Sequence, residues 1–180
     1  MSASSSLESI ASILGSPLVF KASQRTACNR FLKAALTECL ATWDPSNPSS
    51  NGIPTEPIFN MYQKWGNGGF GMILTGNIMI DKYHLESAGN MIIAKEIDSQ
   101  LRRESFAKLA SCMKSQPKTL AIVQLSHPGR QTPITINARP FSASDIQLKV
   151  TRRFTGFGVP VALSTEQIKT EVSLFHRLEL

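Results

Sequence analysis

Residues 65–81 read W-G-N-G-G-F-G-M-I-L-T-G-N-I-M-I-D, and the fold turns on this stretch. Gly66, Gly68 and Gly69 end the helical pattern that precedes them, because glycine gives up the most backbone freedom in a helix. Residues 70–74 then make a nearly unbroken apolar run. A strand of that kind is covered on both faces, as in a parallel sheet flanked by helices. The glycines come before the strand rather than between a strand and a helix, so a G-x-G-x-x-G dinucleotide fingerprint is excluded. The chain also holds no Walker loop, no H-E-x-x-H and no G-x-S-x-G.

The same alternation extends to both sides. Upstream, Thr55 is placed to cap a helix with an apolar stripe at Ile58, Met61, Tyr62 and Trp65. Residues 44–57 are rich in Pro, Ser and Asn and read as a loop. Residues 31–37 are apolar apart from Lys33 and end in a polar residue, like a buried strand with a functional tip. Ser5 and Glu8 form a capping-box pattern, with Leu7, Ile10 and Leu14 at helical spacing and Gly15 as the stop. Downstream, Asp98 or Ser99 opens a helix with Phe106, Leu109, Ala110 and Met113 on one face. Residues 120–125 give the third buried strand, and residues 127–163 a long excursion with little periodicity. Ser164, with Gln167 in the box position, opens a last helix whose face carries Ile168, Val172 and Phe175. Strand–helix, strand–helix, strand–loop–helix predicts parallel strands joined by right-handed crossovers. Periodicity alone leaves open whether the sheet is an open, doubly wound one or part of a barrel.

Composition sets bounds. The chain has 180 residues, 42% hydrophobic and 18% charged, which excludes disorder along most of its length. No run approaches the ~18 apolar residues of a membrane span. The length lies below the roughly 200 residues of a complete (β/α)8 barrel. Net charge is +6, and the whole surplus lies in residues 91–180, with thirteen Lys or Arg against seven Asp or Glu. A basic half can attract nucleotides or nucleic acid. Apart from Lys149, Arg152 and Arg153 the charges are scattered, so a solvated surface is the preferred reading and a nucleic-acid-binding module the lesser one. Cys28, Cys39 and Cys112 are odd in number without metal-like spacing, which suggests a reducing compartment. The first twenty residues lack Lys and Arg, and Gly15 and Pro17 interrupt their apolar stretch. No secretory signal is expected, and the localisation expected is cytoplasmic.

Small or polar residues are expected just past all three strands: Thr37 with Glu38, then Thr75, Gly76 and Asn77, then Gln124. In α/β folds the strand C-termini are where ligands bind. Any one tip has the plain reading that strands end in something polar. Three together, with Ala34, Ala35 and Gly76 alongside, suit a flat ligand that approaches closely.

Four segments resemble the old yellow enzyme family of FMN-dependent NAD(P)H:flavin oxidoreductases, or ene-reductases. They are N-R-F-L-K-A-A-L-T-E at residues 29–38, the stretch at 65–81, A-I-V-Q-L-S-H-P-G-R-Q at 121–131, and residues 158–168. The resemblance implies an α/β fold, a partial (β/α)8 TIM barrel of about the first three βα units. It makes residues 1–180 one domain: an N-terminal helix and lead-in over 1–28, three strands and two helices over 29–125, a long loop over 126–163 and a truncated third helix over 164–180. It also implies FMN as cofactor, NADH or NADPH as reductant, and an activated alkene or similar acceptor as substrate. On this carry-over, the Thr37 hydroxyl bonds the flavin near O4 and N5, Ala35 and Leu36 supply backbone and packing contacts, Gly76 lets the ring edge approach, and the Gln124 amide faces N3 and O2. Arg130 is expected to pair with a barrel carboxylate, His127 to be satisfied by backbone, Lys33 to pair with a carboxylate, and Cys39 to pack.

The family's fourth strand carries His-x-x-Asn or His-x-x-His, followed by a Tyr acid. Three residues after His84, His127 and His176 stand Ser87, Arg130 and Glu179, so none matches. The later arginine and the phosphate site are likewise expected to be absent. The expectation is therefore an N-terminal part whose oxidoreductase machinery is incomplete, with weak or no FMN binding alone. The alternative is an inactive truncated relative acting as an interaction protein or a product without function. Unpaired strand edges would promote self-association.

Overall fold

The computed structural model describes residues 3–150 and 156–177. In chain order the elements are α1 (Ala3–Gly15), β1 (Leu18–Phe20), β2 (Arg25–Ala27), β3 (Leu32–Lys33), α2 (Glu56–Gly66), β4 (Met72–Met79), β5 (Met91–Ile92), α3 (Gln100–Met113), β6 (Leu120–Ser126), β7 (Phe141–Ser142), β8 (Val161–Ala162) and α4 (Thr165–Arg177). Strands β1 and β2 form an antiparallel hairpin. β4 is the centre of a parallel sheet. β6 runs along it from the pair Met72–Leu120 to the pair Met79–Ser126. β3 pairs with its start, at Leu32–Met72, and β5 with its end, at Ile78–Met91. The parallel strands and the intervening helices are those of a partial (β/α) barrel, as expected.

Strand ends differ from the sequence reading. The first strand keeps only Leu32 and Lys33 in the ladder, and the backbone leaves it before Ala35, Leu36 and Thr37. β4 starts at Met72 and carries Thr75, Gly76 and Asn77 within it rather than past its tip. Gln124 likewise lies inside β6.

α2 and α3 cover one face of the sheet. Ile58, Phe59 and Tyr62 from α2 and Leu109, Cys112 and Met113 from α3 close over Ile73, Ile78 and Met91. Ser99 caps α3 as its position predicts, its hydroxyl accepting from Arg102 N at 3.2 Å. Thr55 does not cap α2 with its side chain; its hydroxyl donates to the Leu40 carbonyl at 2.6 Å. The capping box of α4 forms in both directions: Gln167 N donates to Ser164 Oγ at 3.3 Å and Ser164 N to Gln167 Oε1 at 2.9 Å. Ile168 and Val172 on α4 stay 43% and 50% exposed, so the apolar stripe has no covering partner among the described residues. The expected cap at Ser5 and Glu8, the side chains of Leu7 and Phe175, and residues Arg152 and Arg153 lie outside the described residues. No helix among the described residues is long and apolar enough to cross a membrane.

Arg102 braces the connections around β5 in a way the helical pattern of α3 did not predict. It is 3% exposed and has no carboxylate on its guanidinium. Nε donates to Ile97 O at 3.1 Å, Nη1 to Ile92 O at 2.9 Å, and Nη2 to Ser49 O and Asn51 O at 3.2 and 2.8 Å. The planar fork can serve several carbonyls at once where an ammonium cannot.

The long loop is pinned over the sheet by an Asp–His pair. Phe141 N donates to His84 Nε2 at 2.9 Å, and His84 Nδ1 lies 3.1 Å from Asp81 Oδ1. Burial alone would raise the Asp81 carboxyl, but bonds from His84 and Tyr83 N hold it below the usual carboxylate range. His127 stacks on His84, with ring centroids 4.6 Å apart, and its Nδ1 accepts from Gly129 N at 3.2 Å, the backbone bond expected of it. Burial, with His84 beside it, lowers His127 to about 4.

Two predictions follow from these contacts. Arg102→Ala leaves four carbonyls without their donor and lowers the unfolding free energy by about 3 kcal/mol in a denaturant titration; a loss below about 1 kcal/mol would contradict the brace. His127 is neutral in the fold and protonated in the unfolded chain between pH 6.5 and about 4. The unfolded state therefore takes up the extra proton, and stability falls as pH falls through that window. Thermal melts should drop by several degrees across it, and His127→Gln should flatten the drop; an unchanged slope in the variant would refute the assignment.

Candidate functional site

The site grows from an irregularity in β4. Leu74 pairs with Ile122, and the next pair is Asn77 with Gln124. Thr75 and Gly76 thus face the single residue Val123, which is a β-bulge. A bulge removes ladder partners from nearby backbone groups, and buried groups must find others. Three are satisfied by side chains. The Thr75 hydroxyl accepts from Gln124 N at 3.0 Å. Lys33 Nζ donates to Leu74 O at 3.2 Å. Gly76 N donates to the Tyr62 hydroxyl oxygen at 2.9 Å and to Glu38 Oε1 at 3.2 Å.

Tyr62, fully buried on α2, donates its own hydroxyl to Glu38 Oε1 at 2.5 Å. Burial and the Glu38 carboxylate together push its phenol far above the ordinary range. Gly76 is required by contact: a Cβ there would lie 2.2 Å from both the Leu36 carbonyl oxygen and Glu38 Oε2. Its missing side chain makes room for the chain after β3. Lys33 does not form the carboxylate ion pair expected of it. Its ammonium sits 3.9 Å from the Trp65 ring centroid and 5.0 Å from that of Tyr62, which suits a cation on aromatic faces. Burial lowers its pKa, and nearby Glu38 opposes the shift.

The bulge decides which way Asn77 faces. Ile73 and Ile78, five residues apart, both enter the helix-side core, which a regular strand of period two forbids. Val123 packs on the same side. Asn77 and Gln124, their chain neighbours and each other's partners across the ladder, therefore face away from the helices. The Thr37 hydroxyl lies 3.3 Å from Asn77 Oδ1 and 3.2 Å from Glu86 Oε2, and Asn77 Nδ2 donates to the same Glu86 oxygen at 2.5 Å. Gln124 Oε1 is buried and accepts no hydrogen bond among the described residues.

Thr37, Asn77 and Gln124 thus form one row on the side of the sheet opposite the helices. Gly76 adjoins the row but packs toward Leu36 and Glu38. Ala35 is half-buried and Leu36 is 59% exposed on the segment leading into Thr37. Sequence reasoning listed Glu38 and Asn77 only as polar residues at strand tips and gave Tyr62 and Glu86 no role in this arrangement. A Tyr rather than a Phe in a buried helical stripe was the one available signal, since a buried phenol needs a hydrogen-bond partner.

Other residues lie apart from the row. Arg130 does not reach a barrel carboxylate; Nη1 points to Ile146 O at 3.5 Å, and the side chain is exposed. Cys39 is half-buried, with φ +54°. Asp81, His84 and His127 bring ligand atoms within 4.8 Å of one another. Each imidazole, however, spends one lone pair on a backbone N–H, which puts the ring proton on its other nitrogen. The cluster reads as a hydrogen-bonded latch, not as a set of open metal ligands.

No protein-family model matches the chain. Curated proteins do. The NADH-dependent flavin oxidoreductase nadA of Aspergillus parasiticus is 41% identical over 163 residues, covering 90% of this chain and 36% of its own length. The NADH-dependent flavin oxidoreductase iliE of a Neonectria species is 30% identical over 175 residues, covering 91% of this chain and 22% of its own. Among solved structures, the old yellow enzyme from Trypanosoma cruzi superposes with a TM-score of 0.74 at 21% identity, over 91% of this chain and 46% of that one. The old yellow enzyme homologue from Zymomonas mobilis gives 0.70 at 24%, over 90% and 42%. The chain spans less than half the length of these relatives. It is a homologue of the NADH-dependent flavin oxidoreductases and has the fold of part of an old yellow enzyme barrel.

Proposed function

We propose that this chain is the ring-binding part of an FMN-dependent oxidoreductase of the old yellow enzyme type, which passes hydride from NADH or NADPH to an activated alkene or similar acceptor. The observation that carries the reading is Gln124. A buried carbonyl oxygen without a donor is costly, and Gln124 Oε1 is one. The pyrimidine edge of an isoalloxazine offers an N–H between two carbonyls, which an amide with one acceptor and two donors matches. Thr37 and Asn77 continue the same row with a hydroxyl and a second amide. The residues present therefore fit a flavin ring.

Bound FMN would supply the hydride chemistry, and the protein the binding, orientation and electrostatics. Gln124 holds the pyrimidine edge. Here the single Thr37 hydroxyl proton lies toward Asn77 Oδ1 and Glu86 Oε2; with the ring bound it would turn to the flavin as a donor, which would favour the reduced ring. These residues lie on the side of the sheet away from α2 and α3, where they would hold the ring. The contacts assigned to this chain are ring contacts, and none is to phosphate.

Two tests follow. In a fluorescence titration, lumiflavin and FMN should bind the chain with similar, weak affinity, because the ring supplies the contacts. Gln124→Leu should weaken both about five- to tenfold, the effect of one lost hydrogen bond, while raising apo stability by about 1 kcal/mol through removal of an unpaired acceptor. Unchanged lumiflavin affinity in that variant would overturn the reading. Separately, Leu32, Leu36, Ile122, Ile168 and Val172 are exposed, and the outer edge of β6 has no partner among the described residues. These favour self-association. Light scattering after gel filtration should report species heavier than 19.7 kDa; a single monomer peak would refute it.

A further inference from the structure

The row that faces the ligand side is held from the opposite side of the sheet. Beyond the pair Lys33–Ile73, the segment bearing Ala35, Leu36 and Thr37 makes no ladder with β4. Its ties to that strand are side-chain bonds: Glu38 to Gly76 N, and Thr37 to Asn77. Tyr62 joins the first of these, bonding both Glu38 and Gly76 N from α2. That helix is fixed in the core through Ile58 and Phe59. Glu38 occupies the space a side chain at Gly76 would fill, so the contact exists only because residue 76 is glycine.

We infer that Tyr62 and Glu38 are positioning residues for the Thr37–Asn77–Gln124 row: by holding the Gly76 amide they fix the bulge, and the bulge turns Asn77 to the ligand side, level with Gln124 of β6. A shift of one residue in pairing would send Asn77 to the helix face, since side chains alternate along a strand. The inference rests on the flavin reading only for what the row binds.

The test uses the full 180-residue chain, labelled with 15N. In Tyr62→Phe, amide exchange at Gly76 should accelerate at least tenfold relative to Ile73 and Ile58, and the side-chain amide signals of Asn77 and Gln124 should move. In Glu38→Gln, which keeps an oxygen acceptor for Gly76 N, the protection should be largely retained. A purely structural role would speed exchange evenly across β4, and either that result or an unchanged Gly76 would overturn the inference. If Tyr62→Phe loses its folded spectrum, Glu38→Ala decides the matter by the same signal at Gly76: tenfold faster exchange supports the inference and unchanged exchange refutes it. Lumiflavin titrations on the same proteins should show about tenfold weaker binding in Tyr62→Phe than in wild type. Should the wild-type chain take up no lumiflavin at all, the flavin reading fails, while Gly76 exchange still decides the positioning.

Discussion

An amide turned out of its ladder by a bulge must be satisfied inside the protein or pay for its burial. At Gly76 that requirement is met by a phenol from one element and a carboxylate from another, and much of the arrangement follows from it. The helix α2 supplies Tyr62, the segment after β3 supplies Glu38, and the two meet at the only kind of residue that leaves room for them. The same irregularity lets Ile73 and Ile78 enter one core although they stand five positions apart. Core and site are therefore linked through a single break in strand regularity.

The division of labour across the sheet is clean. On the helix side, apolar residues of α2, α3, β4 and β6 exclude water, and Lys33 is admitted against two aromatic rings and a carbonyl. On the other side lie a hydroxyl, two amides and a carboxylate. Here the rigidity comes from behind the row, not from within it.

Much of the fold was legible in the sequence, for reasons that can be stated residue by residue. Residues 70–74 and 120–125 advertise buried strands because both faces must be apolar, and Ser99, Ser164 and Gln167 mark helix starts because their side chains have a fixed geometric task there. Strand ends were misplaced because Thr75, Asn77 and Gln124 looked like tips, whereas hydrogen bonding across the bulge keeps polar residues inside β4 and β6. Thr37 and Gln124 stood out as polar residues expected at strand tips, and the structure places each beside Asn77. The partners that hold the row were not legible. Glu38 acts on a residue 38 positions away and Tyr62 on one 14 away, and no periodicity encodes such pairings. Arg102 escaped for the same reason: carbonyls from the loop before α2, from β5 and from the connection after β5 define its role, and local pattern shows only a basic residue on a helix.

The enclosure of Lys33 has a consequence for its reactivity. Its amine is shut between the Trp65 and Tyr62 rings and the Leu74 carbonyl, and the residue is 6% exposed. An acylating reagent that modifies the surface lysines has no approach to it while α2 lies on the sheet. Labelling at this one nitrogen would thus report the moments when helix and strand part, making Lys33 a built-in chemical clock for the breathing of the layer behind the site.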